Sequence, residues 1–320
     1  MKTAVRLPGD YVVRPPEPGD ARAIFELLSA YNTAVVGFAD CTLDDIADSL
    51  VEPGFDRLTD AWLVLAGDGL PTGYATTFGK GNCQTVEIEV ASQHPAVAAW
   101  LLEQTLQRAQ EMGREGGHAE ITVDTCIYRA DEQLGALLAE HEFAIGTTYH
   151  RMRIDHTGPV AAPKVPADVV VRRGTFDAAS RRAAHDVLID SFRGQFGFVP
   201  RPHEEWVEAR EAQATFDWTQ LTVLEVNHRA VAIRDCSNAY VETENCGYIG
   251  MLGVVERFRG RGLATFLLHD AFALDAAAGR NGTILNVDTN NPSQALRLYQ
   301  SVGMTPTLIE DGHRRTLSTT

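Results

Sequence analysis

The chain has 320 residues, 44% of them hydrophobic and 22% charged, and 43 Asp+Glu against 28 Lys+Arg leave a net charge of −15. At about 150 residues per domain this length predicts two folded domains, and the composition excludes a disordered chain. Such acidity excludes a binder of phosphate backbones, which needs clustered positive charge, and opposes an anionic membrane surface; it suits a cationic small molecule or peptide.

The N-terminal stretch carries Pro8, Pro15, Pro16 and Pro18 and no apolar run, unlike a secretory leader. No apolar stretch reaches the roughly 20 residues that would span a bilayer. The five cysteines (Cys41, Cys83, Cys126, Cys236, Cys246) are odd in number and form no C-x-x-C pair, which favours neither a metal site nor a disulfide framework. The expectation is a reduced, cytoplasmic protein without metal.

From the N-terminus, a strand over 11–14 precedes Asp20, a candidate N-cap, and a helix over 21–31. Strands over 62–66 and 72–78 flank the turn Gly67-Asp68-Gly69. A strand over 85–90 leads to a long helix over 94–112, ended by Gly113, and an apolar strand over 121–125. Residues 156–168 (HTGPVAAPKVPAD) hold three prolines and few large apolar residues, so they read as a linker.

After the linker the order repeats. A strand over 169–172 is followed by Asp177 and a helix over 178–192, and strands over 221–226 and 230–235 flank Asn227-His228. A helix over 263–278 ends at Gly279, and a strand over 284–289 repeats the Val-Asp-Thr seen at 123–125. The recurrence implies duplication, with domains over 1–155 and 169–320. Alternating strands and helices predict a mixed α/β sheet flanked by helices in each half.

The most informative stretch is 247–268, GYIGMLGVVERFRGRGLATFLL. A buried strand enters the turn Arg257-Phe258-Arg259-Gly260-Arg261-Gly262 and leaves as an apolar helix. Glycines there let the backbone approach a ligand. The free N–H groups of the first helical turn hold an anion, and Arg259 and Arg261 add charge. It is not a P-loop, which needs Gly-Lys-Ser/Thr, nor a Rossmann fingerprint, since no third glycine stands at position 265.

Arg259-x-x-Gly262-x-Ala264, after a strand ending in Val254-Val255, resembles the phosphate loop of the GCN5-related N-acetyltransferases (GNAT family). Downstream, Asn291-Pro-Ser-Gln-Ala295-Leu-Arg-Leu-Tyr299-Gln-Ser-Val-Gly303-Met304 resembles the family's second signature, with Met304 in place of the usual Phe. The resemblance covers about 169–320 and implies two tandem GNAT folds, each a mixed, mostly antiparallel sheet. It implies acetyl-CoA as the bound group. Backbone of Leu252, Gly253, Val254 and Val255 would meet the pantetheine arm and polarise the thioester. Amides of Arg259, Gly260, Arg261, Gly262, Leu263, Ala264 and Thr265 would hold the pyrophosphate, Asn291 would touch the arm, and Tyr299 would stand near the departing thiolate.

Acyl transfer needs a polarised carbonyl, a protonated leaving group and a neutral amine. Tyr299 suits the second task. Relatives often carry a Glu on the strand before the loop, whereas 248–252 here hold no carboxylate. Glu244 is the nearest choice for the base, with Glu242 and Asp288 as alternatives and His185 and His228 unplaced. The first half lacks both signatures: 91–97 contain neither glycine nor arginine, and Leu138 stands where Tyr299 does. This arrangement resembles mycothiol synthase-like two-domain acetyltransferases, with a cofactor-free first half. Phe192, Phe196, Phe198, Trp206 and Trp218, with Glu204, Glu205 and Glu208, are candidates for the acceptor wall or for packing.

The resulting expectation is an acetyl-CoA-dependent N-acetyltransferase acting on a small-molecule amine. It binds neither nucleic acid nor membrane, and works as a monomer or homodimer. The alternatives are a non-catalytic acyl-CoA sensor and an acetyltransferase of peptide or protein amines.

Overall fold

The computed structural model describes residues 7, 9–174, 176–291 and 293–320. Residues 1–6 and Pro8 of the expected leader-free stretch, and Pro292 of the second signature, lie outside the described residues. The chain divides into two compact units, Met1–Thr148 with Glu310–Thr320, and Tyr149–Ile309.

The first unit contains β1 (Val12–Arg14), α1 (Ala21–Val36), α2 (Leu43–Ser49), α3 (Arg57–Asp60), β2 (Ala61–Leu65), β3 (Pro71–Lys80), β4 (Thr85–Ala91), α4 (Pro95–Glu115), β5 (Glu120–Tyr128), α5 (Glu132–Glu140) and the start of β6 (Ala144–Asp155). Strands β1 to β4 pair antiparallel in sequence order, and β4 then pairs parallel with β5. Helix α4 lays Leu102, Leu106 and Ala109 on Val86, Ile88, Ile121 and Val123 of the sheet.

The second unit repeats the plan with β7 (Val169–Arg173), α6 (Ala178–Phe192), α7 (His203–Glu211), β8 (Thr222–Val226), β9 (Arg229–Ser237), α8 (Val241–Glu244), β10 (Cys246–Val254), α9 (Leu263–Ala277), β11 (Gly282–Asp288), α10 (Ala295–Ser301) and the start of β12 (Thr305–Ser318). Strands β7 to β10 are antiparallel neighbours and β10 pairs parallel with β11. The expected mixed sheet flanked by helices is therefore present in each unit. Both residues of the β8–β9 turn, Asn227 (φ 50°) and His228 (φ 60°), adopt the left-handed conformation of a tight hairpin.

Both domain boundaries differ from the sequence expectation. Tyr149–Asp155 of β6 pairs antiparallel with β11 and belongs to the second unit. Glu310–Ser318 of β12 pairs antiparallel with β5 and belongs to the first. Each unit thus takes its last strand from the other half of the sequence. The proline-rich segment 156–168 has no helix or strand, as expected, yet Val160 packs on the second unit's core.

Two local expectations are corrected. Asp20 makes no side-chain cap to α1; its carboxylate takes Arg14 NH1 at 2.6 Å and the Glu17 amide at 2.7 Å. Helix α4 does not stop at Gly113 but runs on to Glu115. A Cβ on Gly113 would run into Ile121 and lie 2.8 Å from Thr319 Cγ2, so this glycine allows close helix–sheet contact. Asp177 caps α6 as expected, accepting the Ser180 amide at 2.8 Å.

Candidate functional site

The site grows from a defect in β10. Between Ile249 and Met251 its pairing with β9 shifts register, leaving Gly250 as a bulge. A bulge bends its strand. The parallel pairing of β10 with β11 holds only from Cys246–Gly282 to Ile249–Leu285. Beyond that point the two strands run on as far as Val254 and Asp288, outside each other's ladder. The amide of Val255 donates to Val231 on the β9 side at 3.0 Å. Strand alternation then turns the backbone groups of Leu252 and Val254 to the edge that β11 has left.

A cavity of about 650 Å³ lies at this opening. The expected residues Leu252, Gly253, Val254, Arg259, Gly260, Gly262, Leu263, Ala264, Thr265, Asn291 and Tyr299 all line it. Val255 does not; it is buried against the α6 cluster, with its amide engaged by Val231. Arg261 is also absent from the lining, and its guanidinium stands 5.5 Å over the Phe258 ring.

In the turn, Gly260 (φ 73°) and Gly262 (φ 75°) adopt left-handed conformations that L side chains rarely hold. Gly262 is the N-cap of α9, and the first helical hydrogen bond runs from Phe266 N to Gly262 O at 2.9 Å. Helical geometry leaves the amides of Leu263, Ala264 and Thr265 without intrahelical acceptors, at the positive end of the dipole. Arg259 works differently from the expectation. Its Nε donates to the Val254 carbonyl at 3.1 Å and its NH2 to the Ser191 carbonyl at 3.5 Å, so the side chain ties the turn to β10 and α6. Beneath the turn, buried Arg234 of β9 donates to Asp270 at 2.7 Å and to the Leu267 carbonyl at 2.8 Å, anchoring α9 to the sheet.

Tyr299 lies on α10 with 6% of its surface exposed, packed among Leu268, Phe272, Leu285 and Met304. Burial pushes its phenol up to about 12, so at neutral pH the hydroxyl carries its proton. Asn291 precedes α10 and accepts the Ser293 amide at 2.9 Å.

The structure does not bring Glu244 to the cavity. Its carboxylate pairs with Arg153, at the far end of β10 from the turn. Glu242 is exposed on α8, and His228 sits in the β8–β9 turn. His185 is buried, 4.9 Å from the Trp206 ring and 5.3 Å from His203, and burial holds its pKa below the usual range. Among the described residues lining the cavity, Asp288 is the one carboxylate. Sequence reading missed Tyr149, Ser191 and Gly250. Glycine inside an apolar strand was the available signal for the bulge.

Of the aromatic candidates, Phe192, Phe196 and Phe198 line the cavity. Trp206 and Trp218 do not; they pack under Arg210 (4.9 Å) and Arg181 (4.0 Å). Glu204 pairs with Arg182 at 2.7 Å on the surface.

In the first unit, β4 and β5 also part, after three parallel pairs. The corresponding helix start is closed differently. Pro95 has no N–H, and the Val97 amide donates to the His94 carbonyl at 3.0 Å; the Ala98–His94 bond at 2.9 Å is the first helical bond, as Phe266–Gly262 is in α9. A cavity of about 280 Å³ there is lined chiefly by small and apolar side chains of α4 and α5. Among the described residues, no group of His, Cys, Asp and Glu could hold a metal, and no helix is long and apolar enough to cross a membrane.

Residues 184–304 match the acetyltransferase (GNAT) family model. Curated proteins give no match. Among solved structures, a GCN5-related N-acetyltransferase from Sphaerobacter thermophilus is 24% identical with a TM-score of 0.79, covering 98% of both chains. A tandem GNAT protein from the clavulanic acid biosynthesis pathway is 15% identical with a TM-score of 0.69, covering 97% of this chain and 99% of that one. Saccharomyces cerevisiae N-myristoyltransferase with bound myristoyl-CoA is 11% identical with a TM-score of 0.63, covering 99% and 81%. Residues 184–304 are therefore similar to the GNAT family model, within a fold shared with tandem GNAT proteins.

Proposed function

We propose that the second unit is an N-acetyltransferase that uses acetyl-CoA to acetylate a primary amine of a small molecule by direct attack. The observation that carries this reading is the continuity of one cavity. It runs from the left-handed glycines 260 and 262 and the start of α9, along the open edge of β10, to Tyr299. The residues fit the group: two glycines without side chains, three helix-start amides and a channel between diverging strands suit a pyrophosphate followed by a narrow arm.

When bound, acetyl-CoA supplies an activated thioester. The amides of Leu263, Ala264 and Thr265 hold the pyrophosphate, and Asn291 meets the arm. The Leu252 amide faces the open edge and donates to the thioester oxygen, stabilising negative charge as it develops. The amine nitrogen bonds to the carbonyl carbon as the carbon–sulfur bond breaks. Tyr299 would give its proton to the leaving sulfur, and the proton shed by the attacking nitrogen would pass to solvent water, from which the phenolate is reprotonated. The first unit, whose corresponding helix starts with Pro95 and has its Val97 amide bonded to the His94 carbonyl, serves as scaffold and binds no acetyl-CoA.

Isothermal titration with acetyl-CoA tests this directly. Binding is expected in the wild type and should be lost in Gly262→Glu, which puts a side chain and a negative charge at the phosphate end. Absence of heat in the wild type rejects the proposal. The pairing of Glu244 with Arg153 and the lack of a carboxylate on β10 favour a second reading, a non-catalytic acyl-CoA sensor. It predicts binding with no thiol release from any amine.

A further inference from the structure

A polar side chain in the cavity wall has no partner for its hydroxyl. Ser191, in the last turn of α6, lines the cavity and is 7% exposed, and its Oγ is buried without a hydrogen bond. A helical serine can settle its hydroxyl on the carbonyl three or four residues back. Here the hydroxyl forgoes that bond and rests on Gly253 of β10: a Cβ on this glycine would lie 2.8 Å from Ser191 Oγ and 2.7 Å from Ser191 Cβ. Burying a hydroxyl unpaired is costly, and such a group in a cavity wall points to a ligand atom that pairs it.

The place of Gly253 narrows the choice of that atom. It stands between Leu252 and Val254, whose backbone groups face the edge that β11 has left. That edge offers amides and carbonyls to an extended chain as a neighbouring strand would. A carbonyl bonded there keeps a second lone pair for another donor. The Ser191 carbonyl already accepts Arg259 NH2 at 3.5 Å and Gln195 Nε2 at 3.4 Å, which hold the end of α6 in place. The hydroxyl stays free to turn among its staggered χ1 positions.

We infer that the Ser191 hydroxyl donates to a carbonyl of the acetyl-CoA arm where the arm passes Gly253, a binding contact separate from the phosphate turn. This rests on the acetyl-CoA reading above. The unpaired hydroxyl costs stability before the ligand binds and contributes affinity afterwards.

The test compares wild type with Ser191→Ala by thermal melting without ligand, and by titration with acetyl-CoA and with 3′-phospho-ADP, which has the nucleotide and no arm. Loss of one neutral hydrogen bond should weaken acetyl-CoA binding by about 5-fold and leave 3′-phospho-ADP binding unchanged. The melting temperature should hold or rise by about 1–3 °C, since alanine suits a helix and removes a buried unpaired group. A fall in melting temperature marks a structural hydroxyl and overturns the inference. Unchanged acetyl-CoA affinity does the same, as does equal weakening for both ligands, which would act through Arg259 and the phosphate turn. Absence of acetyl-CoA binding in the wild type rejects the acetyl-CoA reading itself, and this inference with it.

Discussion

Arg259 Nε donates to the carbonyl of Val254 at 3.1 Å, closing the glycine turn onto the strand that precedes it. The arginine is thus a brace that ties the Gly260–Gly262 turn to β10 and α6. Arg259→Met should weaken acetyl-CoA binding by about 10-fold, the loss of one charge-assisted hydrogen bond. Arg259→Lys should not restore it, because one ammonium on a flexible stem cannot reproduce the fork to Val254 and Ser191. Calorimetric Kd values for the two variants decide this.

Tyr299→Phe keeps the apolar packing on Leu268, Phe272 and Met304 and removes only the hydroxyl. If the phenol is the proton donor, kcat falls by about 10²-fold while acetyl-CoA affinity is retained. The raised pKa has a definite sign. The acid form is complete at neutral pH and is lost only as pH rises through about 12. The wild-type kcat profile should therefore show no falling limb from this residue between about pH 7 and 10. Stopped-time assays of thiol release across that range provide the check.

The Arg234–Asp270 pair is buried, with Arg234 only 2% exposed, and Arg173 also pairs with Asp270. Asp270→Ala leaves Arg234 without its counter-charge and should destabilise by about 3–5 kcal/mol. Replacing both partners, Arg234→Met with Asp270→Leu, should recover much of that loss, since two desolvated charges disappear together. Urea denaturation midpoints of the single and double variants measure the difference.

Gly113→Ala tests two opposed effects. Alanine is favoured over glycine inside a helix by about 1 kcal/mol. Here its methyl would run into Ile121 and crowd Thr319. Overpacking of this kind costs about 1–3 kcal/mol, so net destabilisation is expected. Thermal melting should report it, with acetyl-CoA affinity unchanged because Gly113 belongs to the other unit.

The legible parts of this protein were those specified by local chemistry. Gly260 and Gly262 stand where φ is positive, and the run from Leu263 is apolar because α9 is buried against the sheet. The end of a strand at Val254-Val255 was also readable, and β10 ends at Val254, but its parting from β11 was not. The same glycine chemistry misled at position 113, where lack of a side chain serves close packing instead of ending a helix. Asp20 had the composition of a cap, but Arg14 engages its carboxylate. Glu244 was near the site in sequence and is held away from it by Arg153. The partners of β6 and β12 were not readable at all, because an alternating strand specifies which face is buried and not which distant strand lies beside it.

The exchange of terminal strands governs how this chain can be made. Stopping translation at Ile309 would strip the first unit of the segment that covers the edge of β5, exposing a long unpaired ladder prone to sticking to other chains. On the ribosome, the half synthesised first must wait for the emergence of Glu310–Thr320 before its sheet is complete. Expressing either half alone by cutting within 156–168 would yield two incomplete fragments, each holding the piece the other needs.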